Sequence, residues 1–83
     1  MLKVEKLVVG DLGANCYVVG DETEVLVVDP GGDAPKIVEA IGNRKLTYIV
    51  LTHVHIDHVE ALEPLKTRFP EAKLVVHEID APA

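Results

Sequence analysis

The sequence has 83 residues, enough for one small domain, and a domain of this size is only marginally stable unless a metal ion or self-association supports it. Its 14 acidic and 8 basic residues give a net charge of −6 without any basic cluster, which excludes nucleic-acid binding. The single cysteine excludes an internal disulfide, and no apolar run approaches the roughly 20 residues of a membrane span. The N-terminal residues alternate charged and apolar side chains, unlike a signal peptide, so we expect a cytosolic (cytoplasmic) protein.

Three strands are predicted in the first third of the chain. Residues 2–9 alternate apolar and charged side chains before turning apolar, as in a strand with one solvated face. Residues 16–20 and 24–29 are valine-rich runs, and the turn sequence GDET between them predicts a β-hairpin. The run at 24–29 is apolar almost throughout, which places it in the middle of the sheet.

The apolar period then becomes that of a helix. Apolar residues at positions 34, 37, 38 and 41 share one face, which predicts a helix over 34–42. Asp33 is a good N-cap, Pro35 is tolerated in the first turn, and Gly42 is a typical stop.

The second half of the chain repeats the strand–helix alternation. Residues 46–52 predict a buried strand, a helix follows up to about residue 69 with Pro64 in its first turn, and residues 72–78 predict a last strand. The order β-β-β-α-β-α-β predicts an α/β fold with a mixed sheet and both helices on one face. The other face is then bare, which predicts a partner layer from further sequence or from another chain.

Three of the four histidines lie in the segment THVHIDH, residues 52–58. His53 and His55 are two residues apart in an extended segment, so their side chains point the same way and can bind one ion. Asp57 and His58 lie where the chain turns towards a helix, and they can reach a second point. These ligands suit Zn²⁺, although Mn²⁺ and Fe²⁺ accept the same ones. The alternative, solvated loop histidines, explains one isolated histidine better than it explains this cluster.

The segment resembles the T-H-x-H-x-D-H motif of the metallo-β-lactamase superfamily, and the wider pattern resembles its glyoxalase II-like (hydroxyacylglutathione hydrolase-like) branch. The segments NCYVV, VVDPGGD and FPEAKLVVHEIDAP have the order and spacing of that branch. The resemblance covers essentially the whole chain. It implies that residues 1–83 form a single half-domain, the N-terminal half of a metallo-β-lactamase αββα sandwich.

The resemblance also implies a hydrolase that binds two metal ions. His53 and His55 would bind the first ion, and Asp57 and His58 would bind the second. Asp57 would also orient the attacking hydroxide, which makes it the expected catalytic residue. Asp29 would lie beneath the motif and support it. His55 favours a non-redox zinc hydrolase, since flavodiiron-like relatives have glutamate at that position.

The sequence departs from the family pattern in two ways. Glu60 and Ala61 stand where families of this kind commonly have Gly-Gly, and Glu60 adds bulk and a charge that can reach a metal ion. The family's remaining ligands come from later sequence. The fourth histidine, His77, matches no usual ligand position and is expected to be a surface residue at the end of a strand.

Two further features have ordinary structural interpretations. Cys16 lies in an apolar strand beside Tyr17, which favours a buried structural thiol over a reactive one. The glycine-rich sequence DPGGD precedes a helix, where anions can bind. Because it has neither a lysine nor the spacing of a P-loop, a turn followed by an N-cap is the better interpretation.

Three interpretations of function stay open. The one we favour is a zinc-binding half-domain that forms a homodimer, bare face against bare face, with weak or no hydrolysis of its own. The second is a competent metal-dependent thioester or ester hydrolase whose sites a second copy completes. The third is a non-catalytic structural or engineered fragment.

Overall fold

The computed structural model describes residues 2–10, 13–52 and 61–76. These residues form strands and helices in the predicted order: β1 (Lys3–Val9), β2 (Ala14–Gly20), β3 (Glu24–Val28), α1 (Ala34–Ile41), β4 (Lys45–Leu51), α2 (Leu62–Arg68) and β5 (Lys73–Val76). The end predicted for β5 lies outside the described residues, and the other predicted ends differ from the observed ones by at most two residues.

The described strands form one sheet in the order β1-β2-β3-β4-β5. Strand β2 is antiparallel to β1 and β3, whereas β4 is parallel to β3 and β5. The predicted mixed sheet, with β3 in its centre, is therefore confirmed. Because β1, β3, β4 and β5 run in the same direction, their carboxyl ends meet at one edge of the sheet, which we call the carboxyl edge.

Both helices pack on the same face of the sheet. Ile37 of α1 and Leu65 of α2 are fully buried, and they share one apolar core with Val27 of β3 and Ile49 of β4. Other apolar residues of α1 and of the two ends of α2 are buried or pack against this core; they are Ala34, Val38, Ile41, Leu62 and Phe69. In the part of the chain that the structure describes, no helix is long and apolar enough to cross a membrane.

The opposite face of the sheet is left open by the described helices. By strand register, its middle consists of Tyr17, Val19, Leu26, Val28, Tyr48 and Val50, and we call this surface the open face. Tyr48 is 42% exposed, while the others are half-buried by their neighbours in the sheet. The prediction that the helices cover only one face is confirmed.

The start of α1 differs from the prediction in one respect. Asp33 precedes the helix, and its carbonyl oxygen accepts hydrogen bonds from the N–H groups of Lys36 and Ile37. Its side chain makes no capping hydrogen bond, so the predicted side-chain cap is wrong. The reason is that Asp33 has a left-handed backbone, with φ 52°, instead of the extended conformation that capping requires. Gly42 ends the helix as predicted, with φ 65°.

The turn between β2 and β3 is organised by one carboxylate. Asp21 Oδ1 accepts the backbone N–H of Thr23 at 2.9 Å and that of Glu24 at 3.0 Å, and it also accepts the Thr23 hydroxyl at 2.9 Å. These hydrogen bonds favour the charged carboxylate and lower the pKa of Asp21 from 3.8 to about 2. The predicted hairpin is therefore present, and its turn is stabilised by the ionised form of Asp21.

The Asp21 turn predicts a pH dependence of stability. Because the folded-state pKa lies below that of the unfolded chain, the stabilisation is complete above pH 3.8 and is lost as the pH falls towards 2. Asp21→Asn should therefore show a smaller fall in melting temperature between pH 5 and pH 2 than the unmodified chain. Glu22→Gln, which removes the exposed neighbouring carboxylate, is the control. Equal pH dependence in all three proteins would contradict this account of the turn.

Candidate metal centre

Asp29 lies at the carboxyl edge, directly after β3, with a left-handed backbone of φ 54°. Its N–H donates a hydrogen bond of 2.8 Å to the carbonyl oxygen of Val50 in β4. Its Oδ1 accepts the backbone N–H of Thr52 at 2.8 Å, and its Oδ2 accepts the Thr52 hydroxyl in a short hydrogen bond. One carboxylate therefore fixes both the backbone and the side chain of Thr52, the first residue of the THVHIDH segment.

The residue after Asp29 contacts the chain again beyond the THVHIDH segment. The carbonyl oxygen of Pro30 accepts the N–H of Ala61 at 3.3 Å. Ala61 is buried and immediately precedes α2. The turn after β3 thus contacts the chain on both sides of residues 53–60, at Thr52 and at Ala61.

The same turn also binds the end of β1. Asp33 Oδ2 accepts the N–H of Gly10 at 2.9 Å, and Lys36 Nζ donates to the carbonyl oxygen of Val8 at 3.0 Å. Gly10 has φ 77°, and a Cβ atom there would lie 3.1 Å from the carbonyl oxygen of Gly31. The sequence DPGGD is therefore a turn, as predicted. Its second aspartate, Asp33, binds the backbone just after β1 and does not cap α1.

An open cavity of about 340 Å³ lies beside these contacts. Its lining includes Gly10, Gly32, Asp33, Ala61 and Pro64. It therefore lies at the carboxyl edge, next to the residue that follows the segment 53–60.

The predicted ligands His53, His55, Asp57 and His58 lie outside the described residues, as do Glu60 and His77, so their roles stay predictions. Among residues 2–10, 13–52 and 61–76, no group of three or more His, Cys, Asp or Glu side chains is close enough together to hold a metal ion. The structure describes the contacts made by Asp29, Pro30 and Asp33, which we call the frame. The frame holds the chain at Thr52 and at Ala61, on the two sides of residues 53–60.

Cys16 is buried in the neighbouring strand β2. It is completely buried on the helix-covered face of β2. Burial, and then the negative charge of Asp29, raise the pKa of its thiol from 9.0 to about 12. The thiol is therefore protonated at neutral pH, and the prediction of a buried structural cysteine is confirmed.

Comparison with known proteins identifies the family. The family model of the metallo-β-lactamase superfamily matches residues 9–83. The chain belongs to the metallo-β-lactamase superfamily. The resemblance seen in THVHIDH and its flanking segments is thus confirmed.

Similar proteins in the superfamily include hydrolases of the glyoxalase II type. The chain is 36% identical to the probable metallo-hydrolase YqgX of Bacillus subtilis over 70 residues, which are 82% of this chain and 33% of that protein. It is 37% identical to hydroxyacylglutathione hydrolase 1 of Vibrio vulnificus over 62 residues, which are 72% of this chain and 25% of that protein.

The fold is also that of the superfamily. The crystal structure of the BLEG-1 B3 metallo-β-lactamase superimposes with a TM-score of 0.75 and 30% identity, over 88% of this chain and 35% of that one. The chain thus spans about a third or less of the length of these metallo-β-lactamase proteins. The assignment of residues 1–83 as an N-terminal half-domain stays a prediction.

Asp29 was expected to support the motif, and its hydrogen bonds with Thr52 agree with that expectation. The residue pairs that form three contacts of the frame were not foreseen from the sequence. The three contacts are the hydrogen bonds from Thr52 to Asp29, from Ala61 to Pro30 and from Gly10 to Asp33. Each joins residues 23 or more positions apart. Thr52 stands out in the sequence because it is the first residue of the motif. Nothing in the sequence showed that its hydroxyl would bind Asp29.

The burial of Cys16 predicts slow reaction with thiol reagents. A pKa near 12 leaves the thiolate fraction about 1,000-fold below that of an ordinary thiol, and burial also blocks access. Reaction with a chromogenic disulfide should therefore be slow in native buffer and rapid in denaturant, measured by absorbance. Fast reaction of the native protein would contradict the description of Cys16.

Proposed function

We propose that the chain is a zinc-binding half-domain of a glyoxalase II-like, metal-dependent hydrolase, with weak or no hydrolysis on its own. The main support for the proposal is the pair of hydrogen bonds that Asp29 accepts from Thr52. These bonds anchor the end of the strand that precedes His53 and His55 in the sequence. Membership of the superfamily and the hydrolase names of similar proteins support the same assignment.

The donor set of the segment fits a divalent metal ion. His53, His55 and His58 offer imidazole nitrogens, and Asp57 offers carboxylate oxygens, which together are the usual ligands of zinc in hydrolases. Manganese or iron is compatible with the same donors. The anchoring carboxylate also has a physical role, because groups that hold metal ligands in place raise metal affinity.

The proposed chemistry is hydrolysis of a thioester or other activated ester. When bound, a divalent ion supplies the Lewis acidity for attack of water on the substrate carbonyl. Asp57 would orient that water. Asp29 would act as a positioning residue, since it contacts the backbone before the ligands. The cavity beside Gly10, Asp33 and Ala61 offers room for part of a small substrate next to the segment.

The proposed partner is a second copy of the chain. A homodimer would cover the open face, and in the competent-hydrolase alternative the second copy would complete the metal sites. In that alternative the dimer hydrolyses thioesters at an appreciable rate. If neither metal binding nor hydrolysis is found, the non-catalytic fragment is the remaining interpretation. The cytosolic location stays a prediction.

Metal binding is tested by replacing single histidines, either within the motif or outside it, with alanine. Zinc should raise the melting temperature of the chain and a chelator should reverse the rise, because an ion that binds only the folded state stabilises it. His53→Ala and His55→Ala should abolish the effect, whereas His77→Ala, the control, should retain it. A melting temperature that changes neither with zinc nor with chelator would contradict the proposal.

Hydrolysis is tested on the zinc-loaded chain with a generic thioester, by following thiol release. Any activity should disappear in His53→Ala and in the presence of chelator. Activity that survives both would show that the predicted metal site is not its source.

The role of Asp29 is tested by two matched substitutions in one turn. Asp29→Asn should weaken zinc affinity by about 10- to 100-fold, because asparagine tolerates the left-handed backbone but cannot accept both hydrogen bonds from Thr52. Asp33→Asn is the control, since Asp33 has nearly the same φ but its carboxylate binds Gly10. Affinity is measured by competition with a chromophoric chelator. An equal loss in both variants would show a general effect of the turn and would contradict the specific role.

A further inference from the structure

A second open cavity lies at the edge of the sheet where β3, β4 and β5 begin, opposite the carboxyl edge. It has a volume of about 200 Å³, and we call it the amino-edge cavity. The start of β4, the last residue of α2 and the turn towards β5 line it; the residues are Lys45, Leu46, Arg68, Phe69, Pro70 and Glu71. These residues belong neither to the proposed metal site nor to the frame.

The turn between α2 and β5 forms a wall of this cavity, and hydrogen bonds hold it in place. The N–H of Phe69 donates to the carbonyl oxygen of Leu65 at 2.7 Å, and the N–H of Ala72 donates to that of Phe69 at 3.0 Å. Lys66 Nζ donates to the carbonyl oxygens of Pro70 and Ala72. A ligand would therefore meet a preformed wall, which lowers the ordering cost of binding.

The basic side chains near this edge differ in whether their charge is already used. The Arg44 guanidinium donates hydrogen bonds to two carbonyl oxygens in the last turn of α1, and Lys66 is bound to the turn before β5. In contrast, the Lys45 ammonium and the Arg68 guanidinium form no ion pair or hydrogen bond with the part of the chain that the structure describes. Both line the amino-edge cavity, so both charges are available to an anion.

Glu71 sets the charge of that anion. Its carboxylate lines the same cavity, so two positive side chains and one negative one leave a net charge of +1. A carboxylate with a single negative charge matches this value, whereas a phosphate monoester carries about −1.5 to −2 at neutral pH and would be repelled more strongly by Glu71. The planar guanidinium of Arg68 also fits a carboxylate through two parallel hydrogen bonds.

The remaining lining indicates an apolar body on the ligand. Leu46, Phe69 and Pro70 offer carbon surface against which a ring can pack. The Arg68 guanidinium lies 5.9 Å from the centroid of the Phe69 ring, so positive charge and apolar surface are neighbours. The cavity is smaller than the roughly 300 Å³ at which ligand pockets usually begin, which restricts it to a small molecule.

We propose that the amino-edge cavity binds a small organic monocarboxylate with an apolar body. Arg68 and Lys45 bind the carboxylate, and Phe69 contacts the apolar body. Thr52 follows the other end of β4, so this proposal does not depend on the metal site or on the proposed function.

Benzoate is a suitable probe, because it joins one carboxylate to one aromatic ring. It is titrated into the isotope-labelled full chain without added metal, and the backbone amide signals are followed by NMR. An affinity on the order of millimolar is expected for so small a ligand. The amides of Leu46, Phe69 and Glu71 should shift and saturate, whereas those of Gly10 and Ala61 at the carboxyl edge should not. Benzamide, which has the same shape without the charge, should not saturate over the same range.

The chain offers a matched set of charge substitutions. Arg68→Gln should weaken benzoate binding at least about fivefold, because glutamine cannot replace the charged fork, and Lys45→Gln should also weaken it. Glu71→Gln should strengthen it, because the repelling carboxylate is lost. Lys73→Gln is the control: Lys73 is exposed and close in sequence, but it lies on the open face and should leave binding unchanged. Thermal melting followed by circular dichroism checks that each variant folds.

Each outcome decides the proposal. Loss of affinity in Arg68→Gln and Lys45→Gln, with full affinity in Lys73→Gln, supports it. An absence of saturable shifts up to tens of millimolar benzoate overturns it, as do shifts confined to Gly10 and Ala61. An equal loss in Lys73→Gln would show general attraction of anions and would also overturn it. Tighter binding of inorganic phosphate than of benzoate would overturn the assigned ligand class.

Discussion

The carboxylate of Asp29 is the constraint on which the rest of the site depends. It lies where β3 ends, it accepts two hydrogen bonds from Thr52, and its own backbone binds β4 through Val50. Asp29 has a left-handed φ where the chain leaves β3. The glycine-rich turn that follows accepts hydrogen bonds from the N–H groups of Gly10 and Ala61. Without that carboxylate, Thr52 would lose two hydrogen bonds to Asp29, and backbone hydrogen bonds alone would join the end of β4 to β3.

The direction of the strands explains why one short turn can make all these contacts. Four strands end at the carboxyl edge, so the segments that follow β1, β3 and β4 are neighbours in space although they are far apart in sequence. A metal site needs such convergence, since its ligands must be held close together by rigid elements. In this chain, the histidine motif therefore follows a strand whose end is already held by Asp29.

Much of the fold was predictable because it depends on local patterns. The alternation in residues 2–9, the apolar run before Asp29 and the helical spacing of Ile37 and Ile41 are each visible within a short window. The tertiary contacts were not predictable in this way. Asp33 was expected to cap α1, and only its left-handed backbone and the proximity of Gly10 redirect its carboxylate. The metal ligands came from the resemblance of THVHIDH to a known motif, and no local rule would have paired Asp29 with Thr52.

In the proposed function, the histidines that follow the Asp29-anchored strand bind the metal ion. X-ray absorption at the zinc edge of the zinc-loaded chain tests it most directly. Binding by these histidines should give nitrogen and oxygen neighbours at about 2.0–2.1 Å, with the multiple scattering that is characteristic of imidazole. A shell of oxygen alone, or a sulfur neighbour near 2.3 Å, would place zinc elsewhere and would contradict the claim.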